Sequence, residues 1–346
     1  MDHAGNQLRK TNTKNMLKVA VVGAGFIGSV HAKNVALHPA TQLVAVSDVN
    51  LEAAKKLAAI TGAKAVGDAA DIFSDKEVEA VFICTSTNTH VDYLKRSAQS
   101  GKAVYCEKPI GLDYQEAVDA VSVVRAAKVP VMLGFNRRFD PNHAALQDEV
   151  RRGEVGKLEI IQMTSRGPSL PAISYLATSG GQLKDQTIHF FDLLRWITND
   201  EAQEVYAIGA AMVDPKVAEV GDVDTSIVAI RMASGALCQI DSARRTSYGY
   251  DERIEVFGSK GMVESRRQRA RGVSRYVGDK VIDDGLHAGW FERIENSYYR
   301  ILDAFADTLS KGTEPSPSLE DGLKAQLLAD KATESLKSGK AVKVEG

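Results

Sequence analysis

Short apolar runs punctuate the first part of the chain. They are Lys18–Val22, Leu43–Val46, Ala80–Cys84, Ala103–Cys106 and Val131–Phe135, with a weaker one at Ala65–Val66. The segments between them, Ile27–Leu37, Leu51–Ile60, Thr89–Ala98 and Tyr114–Ala127, repeat apolar residues at helical spacing. Strands that are apolar at successive positions, alternating with helices, predict a parallel sheet covered on both faces. Residues 1–15 carry no periodic apolar signal and read as a disordered extension.

The pattern changes after Phe139. A helix, Pro141–Arg151, leads to a strand, Leu158–Ser165, and then to a Gly/Pro/Ser-rich stretch, Arg166–Gly181. A strongly apolar helix, Asp185–Ile197, follows. Six further strand-like runs come in quick succession: Glu204–Ala211, Thr225–Met232, Ala236–Ser242, Arg253–Gly258, Met262–Glu264 and Ser274–Val277. With few helices between them, they predict a large, mostly antiparallel sheet. Helices Trp290–Leu309 and Leu319–Ser338 and a final strand, Val342–Val344, close the chain. The expected organisation is an α/β domain at 16–138 and an α+β domain at 139–346. A length of 346 residues suits two domains.

Composition narrows the function. The 43 basic and 45 acidic residues leave a net charge of −2, which supplies no footprint for nucleic acid or for an anionic membrane surface. No apolar run is long enough to span a bilayer, and Met1–Asn15 lacks the apolar core of a secretory signal. Cys84, Cys106 and Cys238 form no disulfide framework and lie in apolar runs, which suits buried, reduced thiols. These features point to a cytoplasmic, two-domain soluble protein.

Gly23-Ala24-Gly25-Phe26-Ile27-Gly28 follows the first apolar run and opens the first helix. In that context the GxGxxG pattern reads as the phosphate loop of a doubly wound, Rossmann-type dinucleotide-binding domain. Gly23 permits the tight turn, Gly25 lets backbone approach a pyrophosphate, and Gly28 lets helix pack on strand. Asp48 ends the second strand, 20 residues past Gly28. A carboxylate there binds the ribose hydroxyls of an adenosine and repels a 2′-phosphate, so the cofactor expected is NAD rather than NADP. Asp48 also has a plain alternative role as a helix cap, for which Asn50 is better placed.

Glu107-Lys108-Pro109 lies at the carboxyl end of the fifth strand, where open parallel sheets bind ligands. A lysine there can stabilise negative charge on a reacting oxygen. Alone, this tripeptide would be an ordinary surface ion pair on a loop. It is joined by Thr85-Ser86-Thr87-Asn88-Thr89-His90, by Gly134-Phe135-Asn136-Arg137-Arg138-Phe139 and by Gly180-Gly181-Gln182-Leu183-Lys184-Asp185-Gln186-Thr187-Ile188-His189. In this order, with the glycine loop, the set resembles the glucose–fructose oxidoreductase/inositol dehydrogenase (Gfo/Idh/MocA) family from Leu17 to the C-terminus. The resemblance implies a two-domain NAD(P) oxidoreductase with Lys108, Asp185 and His189 as the catalytic set, acting as a dimer or tetramer. It implies a cofactor surface of Gly23, Gly25, Phe26, Ile27, Gly28, Asp48, Thr85, Ser86, Asn88, His90, Glu107, Lys108 and Arg137.

The residues agree with that expectation. Asp185 and His189 are four apart and share a helix face, and Asp192 and Trp196 fall on the same narrow stripe. A solvated face would carry Lys and Glu, so this stripe predicts a cleft wall. His189 has the right ordinary pKa for a general base, Asp185 can hold substrate or an imidazolium, and Lys108 can hydrogen-bond the reacting oxygen. No third ligand has suitable spacing around Asp185 and His189, so no metal is expected.

Ala243-Arg244-Arg245-Thr246-Ser247-Tyr248-Gly249-Tyr250-Asp251-Glu252-Arg253-Ile254-Glu255-Val256-Phe257-Gly258 resembles the inositol dehydrogenase branch. The chain departs from it at Gly167, where an acidic residue is usual, at Asn136 in place of Met, and at Phe190 in place of Asp. Lys108, Asn136, Arg137, Arg166, Asp185, His189, Tyr250 and His287 are the candidate substrate residues. The expected reaction is NAD-dependent oxidation of a ring alcohol of myo- or scyllo-inositol, or of a pyranose such as L-glucose. The rivals are an NADP-linked aldose dehydrogenase or reductase of the same fold and a non-catalytic NAD-sensing regulator.

Overall fold

The computed structural model describes residues 16–345; the expected extension at 1–15 lies outside the described residues. Strands β1 (Leu17–Val22), β2 (Thr41–Ser47), β3 (Lys64–Val66), β4 (Ala80–Ile83), β5 (Ala103–Cys106) and β6 (Val131–Leu133) form one sheet in the order β3-β2-β1-β4-β5-β6. All five pairings are parallel. Helices α1 (Phe26–Leu37), α2 (Leu51–Thr61), α3 (Ala69–Ser74), α4 (His90–Gln99) and α5 (Tyr114–Ala127) connect them. The fully buried β4, Ala80–Ile83, shows why its run reads as continuously apolar. Asn50 caps α2 through its side chain, which leaves Asp48 for other work.

A short 3₁₀ turn, Asn136–Phe139, and helix α6 (Pro141–Arg151) lead into the second sheet. Its strands are β7 (Leu158–Arg166), β8 (Ala202–Ala210), β9 (Thr225–Met232), β10 (Leu237–Ala243), β11 (Asp251–Gly258), β12 (Gly261–Ser265) and β15 (Val342–Lys343), in the order β12-β11-β7-β10-β9-β8-β15. Every pairing is antiparallel except β7 with β10, which runs parallel and sets Arg166 beside Ala243. The expected strand Ser274–Val277 is not part of this sheet. As β13 it pairs with β14 (Lys280–Asp283) in a separate exposed hairpin, turned at Gly278, whose φ is +61°.

Helices α7 (Ile173–Leu176), α8 (Ile188–Thr198) and α9 (Lys216–Glu219) serve the second sheet, and α8 is buried along one face by Phe191, Leu194 and Ile197. The expected single helix Asp185–Ile197 is interrupted: Leu183–Thr187 is a π turn, and the α-helix begins only at Ile188. The last helices are α10 (Trp290–Lys311) and α11 (Leu319–Ser338). Helix α10 packs Ile301, Leu302 and Phe305 against Val19, Phe82 and Tyr105 of the first sheet. Thus the chain returns to the first domain, and a cut after Arg138 separates the sequence more cleanly than the space. No helix among the described residues is long and apolar enough to cross a membrane.

Candidate active site

A cleft of about 1120 Å³ runs from the phosphate loop to the start of the π turn, with Asp48 and Phe26 towards one end and Lys108, Tyr175 and Asp185 at the other. Gly23, Gly25, Ile27, Thr85, Ser86, Asn88, His90 and Glu107 also line it.

The loop end has the shape of a cradle. Gly23 adopts φ +104°, and a Cβ there would stand 2.5 Å from the Cys84 carbonyl oxygen. A Cβ on Gly28 would stand 1.9 Å from the Gly23 carbonyl oxygen, so helix and loop can meet only through glycine. A Cβ on Gly25 would meet nothing within 4 Å, leaving its backbone open to a ligand. The first turn of α1 carries no acidic side chain, so its amides face the cleft uncompensated, as an anion requires. Asp48 accepts from the Ala24 and Asn50 amides at 2.7 and 2.8 Å, which fixes its carboxylate at the cleft edge. These residues fit a dinucleotide diphosphate and its ribose.

His90 lines the cleft with Nδ1 2.8 Å from the Pro109 carbonyl and Nε2 3.1 Å from the Thr85 carbonyl, and burial favours the neutral ring, whose single N–H donates to one of them. It braces the two loops that flank the site. Glu107 is likewise buried, held by His31 at 3.0 Å and Tyr105 at 3.1 Å. Burial works against its ionisation, and the contacts from His31, Lys108 and Tyr105 nevertheless hold it below the usual carboxylate range.

The other end joins the two domains. Lys108 Nζ donates to the Asp185 carbonyl oxygen at 2.7 Å and lies 3.6 Å from Asp185 Oδ1. Asp185 also accepts from Tyr175 Oη at 2.8 Å and from Arg244 Nη1 at 2.9 Å. Burial raises its carboxyl pKa, but Lys108 and Arg244 outweigh that and bring it below the ordinary value. His189 does not line the cleft wall; it is 8% exposed and packs edge-to-face with Phe135, and its buried Nδ1 has no hydrogen-bond partner. Burial, and then the Arg137 and Lys108 charges, push its imidazole well below the ordinary range. Asp192, on the stripe read from the helix, is no part of the cleft. It is buried and paired with Arg138 at 2.5 Å, because the π turn shifts Asp185 out of register with α8.

Five further expected substrate residues sit elsewhere than the cleft wall. Asn136 is fully buried, bonded to Ser297 at 2.8 Å and to Arg137 at 2.9 Å. Arg137 pairs with Glu252 at 2.9 Å, and Tyr250 donates to the same carboxylate at 2.5 Å, so both are committed to a buried network. Arg137 is therefore also off the cofactor surface. Arg166 holds Asp241 and Tyr248 in a separate recess of about 530 Å³. His287, half-buried, meets the network through its backbone carbonyl, which accepts from the Tyr250 amide at 2.8 Å. For Asn136, Arg137, Tyr250 and Arg166 a buried or neighbouring charge captures the side chain. Sequence reasoning missed Tyr175, which lies in the Gly/Pro/Ser-rich stretch, and the role of Arg244, visible there only as half of an Arg-Arg pair.

A parallel sheet with a glycine cradle, and a lysine and aspartate meeting across two domains, define an NAD-binding oxidoreductase. Residues 17–135 match the model of the oxidoreductase family with an NAD-binding Rossmann fold, and residues 143–264 match the GFO/IDH/MocA C-terminal domain. The chain belongs to the Gfo/Idh/MocA family. It is 39% identical to the inositol 2-dehydrogenase of Rhizobium meliloti, over 95% of this chain and 99% of that one. Among solved structures, it is similar to a myo-inositol dehydrogenase of Corynebacterium glutamicum (TM-score 0.91, 37% identity, 96% and 99% covered). It is also similar to the scyllo-inositol dehydrogenase of Lactobacillus casei solved with NAD(H) and scyllo-inositol (TM-score 0.89, 26% identity, 95% and 99% covered).

Proposed function

We propose that this chain is an NAD-dependent inositol dehydrogenase, oxidising a ring secondary alcohol of myo- or scyllo-inositol to the inosose. The observation that carries this reading is the meeting of Lys108 and Asp185 at the end of the cleft away from the phosphate loop. Bound there, NAD supplies the acceptor for the hydride that leaves the carbinol carbon. Lys108 hydrogen-bonds the alcohol oxygen and stabilises alkoxide character. His189, set just behind the cleft wall and neutral because it is desolvated, reaches the site through its 8% exposed edge and takes the hydroxyl proton, a role worth roughly 10²–10⁴-fold in rate. Asp185 orients Lys108 and accepts from a substrate hydroxyl in place of Tyr175. The oxygen keeps the O–H bonding pair, C=O forms as C–H breaks, and one proton is released per turnover.

The reading extends to assembly and location. The second sheet exposes Ile160, Tyr206, Ile208, Ile227, Leu237 and Phe257, which supports pairing of copies through that face. The free cysteines Cys84, Cys106 and Cys238 are all buried, which suits the cytoplasm.

Reduction of NAD, followed by its absorbance change, is to be measured with a panel of inositol isomers and aldoses, beside the same panel with NADP. Turnover of an inositol with NAD supports the reading. Binding of NAD with no turnover of any polyol refutes it.

A further inference from the structure

Arg244 directly follows β10 and stands on the far side of Asp185 from Lys108. It is buried, 4% exposed, yet its Nε and Nη2 have no hydrogen-bond partner. Nη1 bonds Asp185 Oδ2 at 2.9 Å, and Nη2 faces Asp222 Oδ2 at 3.6 Å. Asp222 is itself tied down, because its Oδ1 accepts from the Gln182 and Val223 amides at 2.8 Å each. A Cβ on Gly181, which has φ +88°, would stand 3.1 Å from that same oxygen. The guanidinium is thus anchored to the glycine turn that opens the π turn and aimed at one oxygen of Asp185. Lys108 and Tyr175 share the other oxygen.

We infer that Arg244 is a positioning residue that takes up half of the Asp185 carboxylate, so that Lys108 keeps a net positive charge for the reacting oxygen. With Asp222 behind Arg244, the four groups Lys108, Asp185, Arg244 and Asp222 sum to zero. Without Arg244 the sum is −1, and Asp185 turns wholly to Lys108. A lysine neutralised in this way stabilises a developing alkoxide less, and in a site shielded from water that difference is large. The other titratable groups here are Tyr175 on Asp185, Glu107 beside Lys108, and His189, which senses the Lys108 charge. Less positive charge in the cleft eases protonation of His189, so the acid limb of the pH profile moves upwards.

The inference rests on the dehydrogenase reading, so its test uses two readouts. Arg244→Gln and Arg244→Lys are compared with the parent enzyme, with folding checked by circular dichroism and NAD binding by calorimetry. The first readout is kcat against pH for an inositol with NAD. Gln is expected to lower kcat by about 10–100-fold with the acid limb at higher pH, and Lys to restore most of the loss. The second readout needs no turnover: NMR titration of the His189 ring signal, identified by its loss in His189→Gln. Its midpoint is expected to rise in Arg244→Gln and not in Arg244→Lys. A His189 midpoint unchanged by Gln, or a kcat loss with no movement of the profile, overturns the inference. Failure of the parent enzyme to oxidise any polyol refutes the dehydrogenase reading alone, and the NMR titration still decides the charge sharing.

Discussion

The ammonium of Lys108, from the first domain, donates at 2.7 Å to the backbone carbonyl of Asp185, in the π turn of the second. One cation therefore closes the site across the domain boundary, and the geometry depends on both halves being in place. Lys108→Ala is expected to lower kcat by about 10²–10³-fold, the usual scale for losing a preorganised charge stabiliser. Lys108→Arg should recover little, since a planar fork does not fit the place of a compact ammonium. Steady-state kinetics decide this, and a near-normal kcat in Lys108→Ala would show that the role is misassigned.

On the proposed mechanism His189 sets the acid limb. Burial, with the Arg137 and Lys108 charges, holds its folded-state pKa well below the ordinary value of about 6.5, against a smaller opposing effect of Glu252. The base thus stays neutral as pH falls through the region where an exposed histidine charges. The acid limb of kcat/KM is expected well below pH ~6.5, and His189→Gln should abolish most turnover. The stability sign follows. Below about pH 6.5 the unfolded chain binds a proton that the native chain does not, so this group lowers stability as pH drops and costs nothing above that range. An acid limb at or above that value contradicts the assignment.

Asp48 is expected to decide the cofactor. Its two oxygens accept from the Ala24 and Asn50 amides, and the free lone pairs face the cleft. Losing hydrogen bonds from ribose to a charged carboxylate costs about 1.5–3 kcal/mol, so Asp48→Ala should raise the KM for NAD by roughly 10–150-fold. NADP should gain relative to NAD, because the repulsion of its 2′-phosphate is gone. Initial rates with each cofactor measure the ratio, and an unchanged preference would assign discrimination to other residues.

Asp192 is structural. Arg138 grips both of its oxygens, at 2.5 and 2.8 Å, and reaches Asp321 as well. Asp192→Ala leaves a buried guanidinium short of its principal partner and is expected to cost about 3–5 kcal/mol, seen as a lower Tm. The folded fraction should retain its KM at low temperature. A selective loss of substrate affinity with an unchanged Tm would return Asp192 to the site.

The parallel sheet, the glycine cradle and the position of Lys108 at a strand end were all legible in the chain, because each is a local matter. A strand buried on both faces must be apolar throughout, and only glycine fits where a Cβ at position 28 would meet a carbonyl oxygen at 1.9 Å. The wheel drawn through Asp185, His189 and Asp192 assumed an unbroken α-helix. The π turn at Leu183–Thr187 separates Asp185 from that periodicity, and no apolar pattern announces it.

What the sequence determined alone is therefore the fold class and the phosphate loop. Which polar groups remain free for chemistry was decided only by the tertiary structure. Asn136, Arg137 and Tyr250 look like substrate ligands along the chain, yet in space they satisfy one another around the buried Glu252. Tyr175 and Arg244 look incidental, yet they converge on Asp185 from segments 10 and 59 residues away. The reason is that a buried charge must be paired wherever its partner lies in the chain, and burial exists only once the chain has folded.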